Sequence, residues 1–369
     1  MDVAYDQETA GGATYNALVF TELIYKSNTT PATTWKQRTG LGYPQYVSKV
    51  SGTIYQEPGF AQDQDGNLWL ADLEMQLSAN PATGGIALYQ RKNGTWGSVA
   101  VNIPNNTMPP NTPPQSLITL DGSNAFAHAP RPVFVSPSTN NPLFGTIGLL
   151  FQGPSSSNDC LYWTMITGDS ASGATATTPL ELSQYSSTPG QCNLPSIQGT
   201  YPDTAYSVAT DLITGDQYLG FVINDGTGGT VNEAVFALSY NGTTNTWNTN
   251  YGTAFNNSGG NNVVYVKSVY ATDSNANTYS FMIVNQGVST LELYSSPTLS
   301  TTPPYTMYTG IDNLTYNNSL GTFSNPRIEA PQYVNSNSTF TTVPIWLQYT
   351  DTSMMGSPQS LLYWNQVPN

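Results

Sequence analysis

Few residues of this 369-residue chain could carry chemistry, because it has only 9 basic and 23 acidic side chains. Two of the four arginines follow a proline, in Pro130-Arg131-Pro132 and Pro326-Arg327-Ile328, and Asp203 follows Pro202 in the same frame. The predicted repeat described below places these residues and three other charges near the starts of innermost strands, at the mouth of an axial channel. They form a candidate ligand-binding set: Glu57, Arg131, Asp203, Lys267, Arg327 and Glu329. Glycoside hydrolysis requires two carboxyl groups ~5 to 10 Å apart, for which Asp203 and Glu57 are the candidates. The alternative is that these charged residues form ion pairs between blades, which close the axial channel and bind no ligand.

A second candidate site has the alternating oxygen ligands of a calcium loop. Asp63, Asp65 and Asn67 alternate in Asp63-Gln64-Asp65-Gly66-Asn67, but the acidic residue that completes an EF-hand is missing. Because Asp-Gly-Asn between strands is also a common hairpin turn, we favour a structural turn over a metal site. The only histidine, His128, has no nucleophile elbow beside it, so the sequence supports neither a Ser-His-Asp triad nor a cofactor site.

Cys160 and Cys192 are the only cysteines. In an oxidising compartment, a disulfide between them would close a loop of about 33 residues and stabilise the fold by roughly 3 to 4 kcal/mol. Two free buried thiols are the alternative.

The elements that position these residues are predicted to be strands. Hydrophobic residues make up 38% and aromatic residues 12% of the chain, which is enough to fill a core. Thr and Tyr favour strands, and Asn, Gly and Pro favour turns. No convincing helical segment occurs, and no apolar run approaches the ~20 residues of a membrane span. We therefore expect an all-β fold without membrane insertion.

A repeat organises these strands. Val208-Ala209-Thr210-Asp211 resembles Ala271-Thr272-Asp273, and each is followed by a turn and an apolar strand. A second hairpin follows, best seen in Ala234 to Trp247 and in Ile86 to Trp96. Units of four strands start near Asp2, Pro58, Pro130, Pro202, Asn262 and Pro326. The prediction is one domain over residues 1–369, a six-bladed β-propeller of four-stranded antiparallel blades. Five or seven blades, or a pair of β-sandwiches, are the alternatives.

The final unit is short and lacks an outer strand in this scheme, so we expect the N-terminal region to supply one when the ring closes.

Short stretches resemble two propeller groups. Pro326-Arg327-Ile328 resembles the strand that opens a sialidase blade, where one of three arginines binds a carboxylate. However, no Ser-x-Asp-x-Gly-x-x-Trp box occurs, and a third arginine would have to be Arg38 or Arg91, both in outer-strand positions. Leu88-Tyr89 through Trp96 resembles fungal-type sugar-binding propellers of six blades, a similarity that implies an aromatic residue and an Arg/Glu pair between blades.

The composition as a whole resembles surface and virion proteins of acidophilic archaea. Charge is scarce, while Thr, Asn, Ser and Tyr are abundant. The net charge of −14 at pH 7 would become mildly positive near pH ~3, because carboxylates with ordinary pKa values near 4 are then protonated. Few carboxylates also predict weak acid denaturation. A plain secreted protein with a surface rich in Thr and Asn is the alternative.

These features narrow the partners and the location. Nine dispersed basic residues exclude a nucleic-acid surface. Met1 to Ala10 lacks the pattern of a secretory signal, so we expect either a removed leader or assembly within a virion.

Three functions follow. The first is a non-catalytic extracellular, cell-surface or virion-surface propeller that binds a cell-surface glycan or protein for host attachment. The second is a sialidase-like or other glycoside hydrolase, and the third is a structural coat or spike module that contacts other subunits.

Overall fold

The structure, a computed structural model, describes residues 2–8, 16–26, 34–37, 42–50, 52–76, 83–102, 117–118, 128–135, 146–155, 158–182, 206–210, 215–224, 233–255, 263–272, 278–286, 290–296, 306–307, 323–329, 342–351 and 359–368. The chain divides into two compact units. Unit 1 comprises Met1–Phe134 and Leu143–Leu182, and unit 2 comprises Val135–Pro142 and Ser183–Asn369. The single domain over residues 1–369 stays a prediction.

Unit 1 contains fifteen strands among the described residues: β1 (Asp2–Glu8), β2 (Asn16–Lys26), β3 (Thr34–Gln37), β4 (Gln45–Ser48), β5 (Thr53–Gln62), β6 (Leu68–Gln76), β7 (Thr83–Lys92), β8 (Thr95–Ser98), β9 (Val101–Asn102), β10 (Leu117–Ile118), β11 (His128–Phe134), β12 (Thr146–Ser155), β13 (Asn158–Asp169), β14 (Gly173–Ala176) and β15 (Leu180–Glu181). Three sheets result. Sheet 1 has the order β1-β2-β3, with β4 also on β2. Sheet 2 has the order β10-β7-β6-β5, with β8 also on β7. Sheet 3 has the order β11-β12-β13-β14-β9, with β15 also on β13.

Unit 2 contains eleven strands among the described residues: β16 (Tyr206–Thr210), β17 (Gln217–Asn224), β18 (Glu233–Asn241), β19 (Thr246–Phe255), β20 (Val263–Thr272), β21 (Thr278–Gln286), β22 (Thr290–Ser296), β23 (Thr306–Met307), β24 (Phe323–Glu329), β25 (Thr342–Asp351) and β26 (Gln359–Pro368). They form the sheets β16-β17-β18-β19, β20-β21-β22-β23 and β24-β25-β26. The last sheet has three described strands, and the strand expected from the N-terminal region stays a prediction.

These sheets confirm the all-β prediction. Every strand pair is antiparallel except β9 with β14. In the part of the chain that the structure describes, no helix is long and apolar enough to cross a membrane.

The first strand of each sheet lies at an edge of that sheet, and the next strands follow mostly in chain order. Three of these edge strands have a bulge that contains a proline predicted to start a unit. The register shifts between Gln56 and Gly59 in β5, between His128 and Arg131 in β11, and between Ser324 and Arg327 in β24. Pro58, Pro130 and Pro326 lie within these bulges, where the missing N–H costs no ladder hydrogen bond.

Two hydrophobic clusters lie among the described residues of unit 1, one on each side of sheet 2. The first joins sheets 1 and 2, and its buried members are Leu18, Tyr55, Leu70, Ala87 and Tyr89. The second joins sheets 2 and 3, and its buried members are Trp69, Ala71, Ile86, Leu88, Val99, Val101, Ile147, Leu149, Phe151, Ile166, Ala174 and Ala176. Alternate residues of β6 and β7 thus face opposite sides, as the period of a strand requires.

Candidate functional site

The six charged residues nominated from the sequence occupy the edge strands of several sheets. Arg131 lies at the bulge of β11 and is half-buried, and its Nη1 donates a hydrogen bond of 3.0 Å to the carbonyl oxygen of Pro130. In this set, only the side chain of Arg131 is described. Glu57 lies in β5, Lys267 in β20, and Arg327 and Glu329 in β24, whereas Asp203 lies outside the described residues. Their joint ligand site stays a prediction.

Asp63 lies at the β5–β6 turn and is buried. Its Oδ1 accepts hydrogen bonds from the backbone N–H groups of Asp65 and Asn67, at 3.0 and 2.9 Å. Its Oδ2 accepts one from Trp69 Nε1 at 2.9 Å and one from Asn67 Nδ2 at 3.0 Å. These contacts are those of a structural turn, which is the interpretation that we favour over a calcium site. Among the described residues, no group of three or more His, Cys, Asp or Glu side chains could hold a metal ion.

Cys160 lies buried on β13, and the described part of the chain contains no free cysteine. Cys192 lies outside the described residues, so the pairing of Cys160 with Cys192 stays a prediction.

A polar cluster lies where sheets 1 and 2 meet, and we call it the seam site: Glu22, Tyr43, Arg91 and Trp96. Glu22 is on β2, Tyr43 lies two residues before β4, Arg91 is on β7, and Trp96 is on β8. Arg91 and Trp96 are paired in register, so both project from one face of sheet 2. Glu22 follows Leu18 and Phe20 at every second residue of β2, which brings all three to the face that packs against sheet 2.

An ion pair and a hydroxyl hold the Arg91 guanidinium. Its Nη1 lies 3.3 Å from Glu22 Oε1, and its Nη2 donates a hydrogen bond to the Tyr43 hydroxyl. The Tyr43 hydroxyl in turn donates to Glu22 Oε1. The side chain of Arg91 is 17% exposed and that of Glu22 is 21% exposed, so solvent and small ligands reach the pair.

Aromatic rings surround the same guanidinium. The Arg91 Cζ lies 4.9 Å from the ring centroid of Phe20 and 5.7 Å from that of Tyr43, both within the range of cation–π attraction. Trp96 meets Phe20 edge-to-face, with ring centroids 5.1 Å apart. The ring of Phe20 is fully buried, whereas Tyr43 and Trp96 are half-buried. The seam site thus combines aromatic side chains with a charged group.

Among the described residues, two buried donors of the seam site have no hydrogen-bond acceptor. They are Arg91 Nε and Trp96 Nε1. Gln45 Oε1 is a buried acceptor without a donor among the same residues, while Gln45 Nε2 donates to the carbonyl oxygen of Gly94 at 3.4 Å. A buried polar atom without a partner costs about 1 to 3 kcal/mol, so this seam is less well satisfied than an ordinary core contact.

A second polar group lies on the same face of sheet 2. The Tyr89 hydroxyl donates a hydrogen bond to Glu74 Oε1. The Tyr55 hydroxyl lies 2.8 Å from Ser48 Oγ and accepts a hydrogen bond of 2.9 Å from the Val50 N–H. Burial raises the pKa of the Glu74 carboxyl, and the hydrogen bond from Tyr89 opposes that shift. Burial, together with the Glu74 charge, also raises the pKa of Tyr89.

Sequence reasoning missed the seam site. Arg91 was considered only as a third sialidase-type arginine in an outer strand. Glu22 and Arg91 are 69 residues apart in the chain, so no local pattern joins them. The useful signal was the alternation of Tyr89 and Arg91 on β7 with Trp96 opposite, which is the stretch that resembles sugar-binding propellers.

Comparison with known proteins gives weak similarities of fold. No protein-family model matches the chain, and no curated protein matches it. A sialidase of Trypanosoma rangeli matches with a TM-score of 0.49 and 9% identity over 100% of this chain and 53% of that chain. An α-L-arabinofuranosidase from Fusarium graminearum matches with a TM-score of 0.47 and 11% identity over 98% and 92% of the two chains. An α-L-arabinanase of Penicillium chrysogenum matches with a TM-score of 0.42 and 11% identity over 99% and 90%.

This chain thus spans about half the length of the trypanosomal sialidase. The three names are those of glycoside hydrolases, the enzyme class expected if the protein is an enzyme. With TM-scores below 0.5, these similarities carry no argument about the activity of this chain.

Proposed function

We propose that this protein is a non-catalytic carbohydrate-binding β-propeller, exposed outside the cell or on a virion, that attaches to a cell-surface glycan. The observation that carries the proposal is the seam site. It combines a partly exposed Arg91–Glu22 ion pair with the half-buried aromatic rings of Tyr43 and Trp96. A sugar offers hydroxyl groups to the ion pair and an apolar ring face to such aromatics.

In the proposed six-bladed propeller, binding sites would lie between neighbouring blades. Within unit 1, the edge strand β5 contacts both β1 and β11, and within unit 2, β20 contacts both β16 and β24. A propeller places the first strand of every blade beside the first strand of the next. Six sheets with first strands at an edge agree with that arrangement.

The extracellular or virion location and the attachment role are proposals that rest on composition and on neutral side-chain contacts. Thr146 and Thr167 lie 2.9 Å apart through their hydroxyls, and Thr164 donates to the Thr177 carbonyl oxygen at 2.7 Å. Such hydrogen bonds do not titrate, so they persist in an acidic exterior. A surface protein or neighbouring coat and spike subunits are the other proposed partners.

The first prediction concerns Arg91, with its neighbour Lys92 as a matched control. Arg91 belongs to the seam site, whereas the Nζ of Lys92 contacts Asp169 Oδ2 at 3.1 Å and is half-exposed. Arg91→Ala and Lys92→Ala remove the same charge one residue apart. On a glycan array, we expect Arg91→Ala to weaken binding at least about tenfold, as loss of a central arginine contact does, and Lys92→Ala to retain it.

Circular dichroism establishes whether both variants are folded. If Arg91→Ala does not fold, Arg91→Lys replaces it in the test, because it keeps the positive charge. Lysine lacks the planar fork of donors, so Arg91→Lys should also lose binding. Equal binding by the wild type, Arg91→Ala, Arg91→Lys and Lys92→Ala would show that the seam site does not bind the glycan. Absence of binding by the wild type to every glycan would contradict carbohydrate recognition itself.

A glycoside hydrolase is the second candidate function, and one observation favours it. Asp72 and Glu74 lie two residues apart on β6 and therefore on one face, and burial raises the pKa of Glu74, as a general acid requires. Asp72 is fully buried, however, which is why binding is our first proposal. Release of a chromophore from aryl glycosides by the wild type, but not by Glu74→Gln, would establish the hydrolase.

A further inference from the structure

We propose that Glu22 determines the specificity of the seam site by restricting it to uncharged sugars. This inference rests on the proposed carbohydrate-binding function and adds the chemical class of the sugar. The relevant geometry is the contact of 3.3 Å between Glu22 Oε1 and Arg91 Nη1.

The first step is that Glu22 neutralises the charge of Arg91. Both side chains are about four-fifths buried, at 17% and 21% exposure, so water screens the pair less than it screens a surface ion pair. The pair as a whole then carries no net charge. Among the described residues of the seam site, a ligand meets hydrogen-bonding groups and aromatic rings, and the one cation is paired.

The second step is that Arg91 does not depend on Glu22 alone for its position. The guanidinium lies over Phe20 and close to the ring of Tyr43, and the Tyr43 hydroxyl accepts from Nη2. These contacts remain when Glu22 loses its charge. An arginine held in this way is a good partner for a carboxylate, because its planar fork of donors matches two carboxylate oxygens.

The third step concerns the acidic sugar. A uronic acid differs from the corresponding hexose in having a carboxylate in place of a hydroxymethyl group. When that carboxylate approaches Arg91, it also approaches Glu22, and two like charges in a partly buried site repel each other. Rejecting a competitor by an unfavourable charge is a common basis of specificity. Glu22 therefore excludes the ligands that Arg91 alone would attract.

The test measures binding of methyl galactoside and methyl galacturonide to the wild type and to Glu22→Gln by isothermal titration. We expect the wild type to prefer the neutral sugar and Glu22→Gln to shift the affinity ratio toward the uronate by at least about tenfold. Asp169→Asn is the matched control, since it removes an acid from the other ion pair, with Lys92, and should leave the ratio unchanged.

A ligand-side measurement keeps the inference testable if Glu22→Gln does not fold. The methyl ester of methyl galacturonide has nearly the shape of the acid but no charge, so the wild type should bind it about tenfold more tightly than the free acid. An unchanged ratio in a folded Glu22→Gln, or equal wild-type affinity for ester and acid, would overturn the role of Glu22. A wild type that binds neither the neutral sugar nor the ester, nor any glycan on the array, would instead overturn the proposed function.

Discussion

Asp63 organises the β5–β6 turn through a single buried carboxylate. Its oxygens accept from two backbone N–H groups, from Asn67 Nδ2 and from the indole of Trp69. Removing the carboxylate leaves several donors without an acceptor, and each buried one costs about 1 to 3 kcal/mol. Asp63→Ala should therefore lower the free energy of unfolding by about 3 kcal/mol, measured by urea denaturation.

Asp65→Ala is the matched control for this turn. The side chain of Asp65 is exposed, and only its backbone N–H contacts Asp63, so its replacement should change the free energy of unfolding by less than about 0.5 kcal/mol. Similar losses in both variants would contradict the described hydrogen bonds. A wild-type midpoint that rises with added Ca²⁺, and does not rise in Asp63→Ala, would support the metal site instead.

The arginines show how far single residues could be interpreted from the sequence. Arg131 was nominated because a proline precedes it, and that proline does lie in a bulge at a sheet edge. For Arg91, the only local signal is its alternation with Tyr89 opposite Trp96, and no local pattern joins it to Glu22. Its role arises from Glu22 and Tyr43, which belong to another sheet. Contacts between sheets depend on how the sheets pack, and local patterns of residues do not encode that packing.

At the scale of elements, three prolines at predicted unit starts lie at sheet edges, while the six unit starts as a set stay a prediction. Pro58, Pro130 and Pro326 all lie in edge strands, because a proline is tolerated at an edge bulge and disfavoured in a central strand. The extra strands could not be predicted. β9 pairs with β14 across more than seventy residues, and β10 joins β7 through only two residue pairs. Such short pairings lack a hydrophobic period of their own.

The approach of β5 to β11 gives a prediction at this scale. A Cβ atom on Gly59 would lie 2.8 Å from the Pro130 carbonyl oxygen and 2.9 Å from Pro132 Cδ, so the backbone itself would have to move. Gly59→Ala should destabilise unit 1 by about 1 to 3 kcal/mol in a urea titration.

Gly97→Ala is the control for this approach, since its Cβ would lie 3.0 Å from Ser170 Cβ and 3.2 Å from Ser170 Oγ, a contact that a small shift of Ser170 relieves. A smaller effect of Gly59→Ala than of Gly97→Ala would show that β5 and β11 are not this close.

At the scale of the whole molecule, the low charge predicts tolerance of acid. The pH dependence of stability that Glu74 contributes allows this prediction to be measured. Burial raises the pKa of Glu74 in the folded state above its ordinary value of 4.5, so the folded state binds the proton more tightly than the unfolded state. This contribution to stability is fully present below pH 4.5 and is lost as the pH rises through the raised folded pKa.

Glu74→Gln should remove this contribution, because glutamine does not titrate. We expect its free energy of unfolding to fall less than that of the wild type between acidic and neutral pH, measured by urea denaturation at a series of pH values. Parallel pH profiles for the wild type and Glu74→Gln would contradict the burial of the Glu74 carboxyl group.

The central claim is that sheets 1 and 2 hold a sugar between them. A crystal structure with a neutral saccharide identified on the glycan array tests it most directly. We predict density for the sugar beside Glu22, Tyr43, Arg91 and Trp96, with oxygen atoms of the sugar within hydrogen-bond distance of the Arg91 guanidinium or the Glu22 carboxylate. A saccharide bound only elsewhere, for example beside Arg131 on the edge strand β11, would contradict the account.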